Sequence, residues 1–243
     1  MKVNNSLKIQ NTNFTAKPDK KFIANCPDIS NTLKKLPQDA DFYKKYNNLQ
    51  VDSAKLFKKI KELNIPNLQQ INDKGFRGES LSAEKNQKFL KQIKNYGINT
   101  IIDLRTADYT EKYSKRCQEL GFKFYHIPID SKIVSDREII NSLPILFERM
   151  EKGNFYIACA QGKHRTDIAI ALNYLFNPKY KGEPPVMYGH VENGKMRIQD
   201  IFTRANSIYK ELTTEDKAML GWNKEFEEGF KQRKINLREF NER

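Results

Sequence analysis

Between residues 75 and 177 the apolar positions of this chain switch repeatedly between the 3.6-residue spacing of a helix and short β-branched runs suited to buried strands. That alternation is the strongest constraint on the fold. Parallel strands need crossovers of about a dozen residues or more, and helices supply them while covering the sheet. The expected class is α/β: a central, mostly parallel sheet flanked by helices, with helical extensions at both ends. Helices are expected over 81–96, 109–120, 136–150 and 166–176, and strands over 99–104, 122–129 and 154–158. Pro144 falls inside the third helix and Pro128 shortens the second strand.

The flanks differ in texture. Residues 1–50 are polar and basic and carry Pro18, Pro27 and Pro37, which reads as a partly disordered arm. Residues 51–74 contain one amphipathic run (Val51, Ala54, Leu56, Phe57, Ile60, Leu63) closed by Pro66, expected as a covering helix over a core of 75–177. Beyond it, 178–243 is expected to hold a hairpin turning at Asn193–Gly194, a helix over 198–212 and a helix over 215–230 opened by Thr213 and Asp216.

Composition narrows the function classes. No stretch of even ten apolar residues occurs in the 243, which excludes a helical membrane span, and the N-terminus lacks a secretory apolar segment. The expected location is the cytoplasm, with export by another route left open. Three cysteines, Cys26, Cys117 and Cys159, do not make a disulfide scaffold. The net charge is +13, of which +7 lies in residues 1–75. It suits an anionic partner, and the basic arm suits an anionic membrane surface, but no lysine block or aromatic interleaving supports nucleic-acid binding. His126, His164 and His190 stand singly, without the spacing of a metal site, and no cofactor is implied. The oligomeric state is not legible.

The informative segment is 158–167, ACAQGKHRTD, between a strand and a helix that is apolar nearly all round. A loop curling into a helix N-terminus presents successive backbone N–H groups to a tetrahedral dianion, here from Ala160, Gln161, Gly162, Lys163 and His164. Arg165 can add two parallel charge-assisted bonds, and the same positive field favours a thiolate at Cys159 as in-line nucleophile. Thr166 can donate a hydroxyl to the departing sulfur. The leaving oxygen needs an acid, and Asp130, on the loop after the strand FKFYHIPI, is the first candidate. Asp136 is the alternative, although its position suits a helix N-cap better. Lys163 and His164 either contact further phosphates or face solvent. Arg77 and Arg105 either line the cleft or form structural ion pairs. The bland alternative is a buried Cys159 that merely ends a core strand.

These residues resemble the protein tyrosine phosphatase superfamily, in its dual-specificity branch. NTIIDLR, FYHIPID and CAQGKHRT occur in the family's order over roughly 75–177, and GKHRT is similar to the loop of plant and fungal atypical dual-specificity phosphatases. The resemblance implies that family's three-layer fold and a phosphocysteine mechanism. It also implies a phosphorylated protein or an inositol phosphate as substrate, with Cys159 as nucleophile, Arg165 as clamp, Thr166 as hydroxyl partner and Asp130 as acid. Two positions depart from the pattern. Ala158 stands where the family has His, and Asp167 where it has Gly, an anion that would disfavour the thiolate if it faced the sulfur. These departures motivate a second reading, a catalytically weakened phosphate-binding module. The charge permits a third, an RNA 5′-phosphatase.

Overall fold

The computed structural model describes residues 52–242, apart from 74, 107–109, 130–132, 188–190, 193–194 and 197. The arm over 1–50 therefore lies outside the described residues, as does the hairpin tip. The elements run α1 (Asp52–Lys61), β1 (Gln69–Asn72), β2 (Gly75–Glu79), α2 (Gln87–Asn95), β3 (Thr100–Asp103), α3 (Thr110–Glu119), β4 (Lys123–His126), α4 (Asp136–Lys152), β5 (Phe155–Cys159) and α5 (His164–Phe176). They continue with a short antiparallel pair, β6 (Val191–Glu192) and β7 (Lys195–Met196), then α6 (Ile198–Glu211), α7 (Thr214–Met219) and α8 (Lys224–Glu242).

The main sheet has the order β1-β2-β5-β3-β4, with only β1 antiparallel. β5 is central and buried along its whole length. Its side chains alternate between two cores: Phe155, Ile157 and Cys159 join the cluster formed with α4 and α5, while Tyr156 and Ala158 join that of α1, α2 and α3. The fold is thus the three-layer α/β class that the alternation predicts. α1 packs into the second of these cores, with Phe57 set edge-on to Phe76 at 5.0 Å, a contact worth about 0.5–1.5 kcal/mol beyond its area.

The β1–β2 hairpin edge is the main element that the sequence does not announce. QQIN is polar and GFRGE holds two glycines and an arginine, so neither shows strand alternation. The expected helix over 81–96 is also shorter: a 3₁₀ turn over Glu84–Asn86 precedes α2. α4 runs through Pro144, and its N-cap is Ser135, not Asp136. The Ser135 hydroxyl accepts from the Glu138 amide and the Glu138 carboxylate accepts from the Ser135 amide at 2.8 Å.

The expected helix over 215–230 is broken in two. Thr213 and Asp216 do form the capping box of α7, but a Schellman turn then ends it: Trp222 N donates to Lys217 O at 2.8 Å and Gly221 N to Ala218 O at 2.9 Å, with Gly221 at φ 77°. The turn sends Trp222 Nε1 to the Phe176 carbonyl at 2.8 Å, at the C-terminal end of α5. Ile201, Phe202, Ala205 and Ile208 of α6, with Phe230 and Leu237 of α8, complete the core on the α4–α5 face. No helix among the described residues is long and apolar enough to cross a membrane.

Candidate active site

The segment 158–167 joins β5 to α5. Cys159 is the last residue of the strand and is 3% exposed. Ala160 and Gln161 are exposed, Gly162 is buried at φ 68°, Lys163 is the N-cap, and His164, Arg165 and Thr166 form the first turn of α5 with Asp167. All the loop residues expected from the sequence therefore lie in one turn of chain. Asp130, the expected acid, lies outside the described residues.

The loop is fastened by its carbonyls. Ser80 N donates to Cys159 O at 3.0 Å and more weakly to Ala160 O at 3.4 Å. Asn67 Nδ2 donates to Gln161 O at 2.8 Å. Arg77 Nε and Nη2 donate to Gly162 O at 3.1 and 2.7 Å, and Nη2 also to Lys163 O at 3.1 Å. Every carbonyl from 159 to 163 is thus held by the 67–80 segment. In a trans peptide the C=O and N–H point in opposite directions, and no described peptide bond is cis. The amides of residues 160–164 are therefore turned to the other side of the loop.

Asp167 is the departure that the structure explains. It does not stand as a lone anion: its Oδ1 accepts from Arg77 Nη1 at 2.5 Å, and both side chains are buried, at 1% and 0% exposure. The ion-pair reading of Arg77 holds. Arg105 is also a structural pair, its fork closed on Asp103 at 2.7–3.2 Å, with Nη1 on Ser82 Oγ at 2.6 Å. Asp136 is occupied as well: Arg204 Nη1 lies 2.9 Å from its Oδ1, and the Ser207 hydroxyl donates to its Oδ2. His126 Nε2 sits 2.6 Å from the Arg105 carbonyl, the structural role expected of it.

Two hydroxyl-bearing residues near the loop differ in how they are used. Tyr156 donates its phenol to Glu79 O at 2.7 Å, and burial holds that phenol well above its usual range. Thr166 Oγ1 is buried without a hydrogen-bond partner among the described residues, a state that costs about 1–3 kcal/mol. The second buried cysteine, Cys117, lies in the other core, where burial pushes its thiol up to about 12, far from nucleophilic at neutral pH. Sequence reasoning missed Asn67, Ser80 and Gly78 as partners of the loop. Only the glycines around Arg77 hinted that a backbone passes close by.

No family model matches the chain, and no curated protein matches it. Solved structures do. TpbA of P. aeruginosa is 12% identical, with 65% of this chain covering 92% of that one at a TM-score of 0.45. The core catalytic domain of the S. cerevisiae PP-IP phosphatase SIW14, in complex with citrate, is 14% identical over 70% of this chain and 94% of that one, at 0.39. A Shewanella putrefaciens chain described as a phosphatase is 14% identical over 69% and 95%, at 0.40. By its own sheet order and flanking helices the chain has a three-layer α/β fold, with a strand–loop–helix junction between β5 and α5.

Proposed function

We propose that this chain is a cysteine-dependent phosphatase that hydrolyses phosphate monoesters through a phosphocysteine intermediate. The observation that carries the reading is the fastening of all five carbonyls from Cys159 to Lys163 on one side, which leaves five amides on the other for the oxygens of a phosphoryl group. Arg165 serves as the clamp on two of those oxygens. The near-complete burial of Cys159 suits a nucleophile at the floor of the loop.

In the first step the Cys159 thiolate attacks phosphorus, the S–P bond forms, the ester P–O bond breaks, and Asp130 gives its proton to the leaving oxygen. In the second, water attacks phosphorus, Asp130 takes a proton from it, and the S–P bond breaks to return the thiolate. Thr166 donates its hydroxyl to the departing sulfur. No metal enters either step. The pairing of Asp167 with Arg77 answers one of the two departures behind the reading as a catalytically weakened module, and Ala158 is the other.

The substrate class is a phosphorylated protein or an inositol phosphate. Lys163 and His164 at the loop favour a substrate with further phosphates. The test is release of phosphate from an aryl phosphate in the presence of a chelator. Cys159→Ser should abolish it, and full activity in that variant would overturn the mechanism. Parallel assays on a phosphotyrosyl peptide and an inositol polyphosphate decide the substrate class.

A further inference from the structure

We infer that the buried Arg77–Asp167 pair is a neutral strut that sets the shape of the 159–165 loop, so both are positioning residues for the reaction proposed above, on which the inference rests. Arg77 is 0% exposed on a strand whose neighbouring residues are apolar or glycine, and it lies on the α5 side of the sheet opposite Phe76. Its register partner is Ile157, two residues before the nucleophile. One planar guanidinium makes three bonds to the carbonyls of Gly162 and Lys163 and a fourth to Asp167, so a single rigid group ties the middle of the loop to the first turn of α5.

A bare guanidinium there would be a buried charge without compensation, and a bare Asp167 would set an anion beside the phosphate loop. Together they cancel, so the loop gains a rigid support without a net change in its field. The pair also explains why an acidic residue can stand directly after Arg165 and Thr166. Neither side chain needs to touch substrate, since each acts through loop backbone. Buried ion pairs contribute little net stability, because desolvation offsets attraction, which makes a purely stabilising role a poor explanation for this one.

Three variants of the full chain test the strut. Arg77→Lys keeps the charge but loses the fork, Asp167→Asn keeps the shape but loses the charge, and Arg77→Met/Asp167→Leu removes both without leaving a lone ion. Melting temperature, amide exchange over 159–167 by mass spectrometry, and tungstate affinity by calorimetry are read on each.

Exchange is expected to quicken at least tenfold and tungstate affinity to fall at least tenfold in Arg77→Lys and in the double variant. Asp167→Asn should lie between these and the unmodified chain. The melting temperature of at least one of the three is expected to stay within a few degrees of the unmodified chain. Unchanged exchange over 159–167 in variants that fold would overturn the strut. Faster exchange with unaltered tungstate affinity would overturn the positioning role. Exchange reads out whether or not the chain turns over phosphate, so an unmodified chain inert toward aryl phosphate and tungstate sinks the phosphatase reading and not the strut.

Discussion

A Cβ placed on Gly162 would lie 2.1 Å from the carbonyl oxygen of Gly78, so the 159–165 loop and β2 are in backbone contact at that point. Gly162 also sits at φ 68°, where other residues are strained. Both features follow from the crowding that lets Arg77 reach two consecutive loop carbonyls.

Gly162→Ala must therefore push the loop off β2 and break the bonds from Arg77 to Gly162 O. The expected loss is about 1–3 kcal/mol of stability from strain, and at least tenfold in kcat/KM from misplaced amides. Chemical denaturation and aryl phosphate kinetics check the two halves. A variant with normal turnover would show that the loop tolerates displacement.

The C-terminal helices hold the chain where α4 begins. Arg204 of α6 donates Nη2 to the Val134 carbonyl at 2.8 Å and pairs Nη1 with Asp136, both groups 10–14% exposed, while Arg137 pairs with Asp216 at 2.7 Å. Arg204→Ala leaves a largely buried carboxylate without its cation, and a loss of about 2–4 kcal/mol is expected from thermal or urea unfolding. The same contacts commit both Asp136 oxygens to α6. Asp136→Asn should lower stability but leave the dependence of rate on leaving-group pKa unchanged, whereas Asp130→Asn should steepen it.

Alkaline stability carries a signature of Cys117. An unfolded thiol titrates near 9.0, and burial raises the folded one to about 12, with the Asp103 carboxylate adding to the rise. The folded state thus holds the proton more tightly, so the contribution is complete below pH 9 and is lost as pH rises from 9 toward 12. The loss amounts to roughly 2–4 kcal/mol at the upper end. Tyr113 and Tyr156, also raised by burial, act in the same direction. Urea unfolding at pH 7 and pH 10.5 should show a smaller alkaline loss for Cys117→Ala than for the unmodified chain, and equal losses would contradict the assignment.

The layered class and the loop were legible because each rests on local pattern: β5 is apolar along its length, α5 is largely apolar from Ile168 onward, and ACAQGKHRTD joins the two. The β1–β2 edge was not legible. Apart from Phe76, its buried residues are two glycines and Arg77, suited to close approach and, for Arg77, to contacts made 85–90 positions away along the chain, and no periodicity encodes such a partner. The break between α7 and α8 shows the same limit. The helical pattern continues across Gly221, and only the packing of Trp222 against Phe176, Tyr209 and Phe230 favours the turn there. Asp167 read as a liability from sequence because its counter-ion sits on another strand.

Thr166 separates stability from turnover. Its hydroxyl is buried with no bond to the described residues, so the folded chain bears the desolvation cost without the return of a hydrogen bond. Thr166→Val has nearly the same shape and removes that group, and a gain of about 1 kcal/mol in unfolding free energy is expected. If the hydroxyl is kept for the departing sulfur, the second chemical step should slow about tenfold while phosphocysteine formation stays near its original rate. Rapid mixing with p-nitrophenyl phosphate would then show a burst of nitrophenol in Thr166→Val that is larger, relative to the steady rate, than in the unmodified chain. A variant that is less stable and shows no enlarged burst would assign the hydroxyl to structure instead.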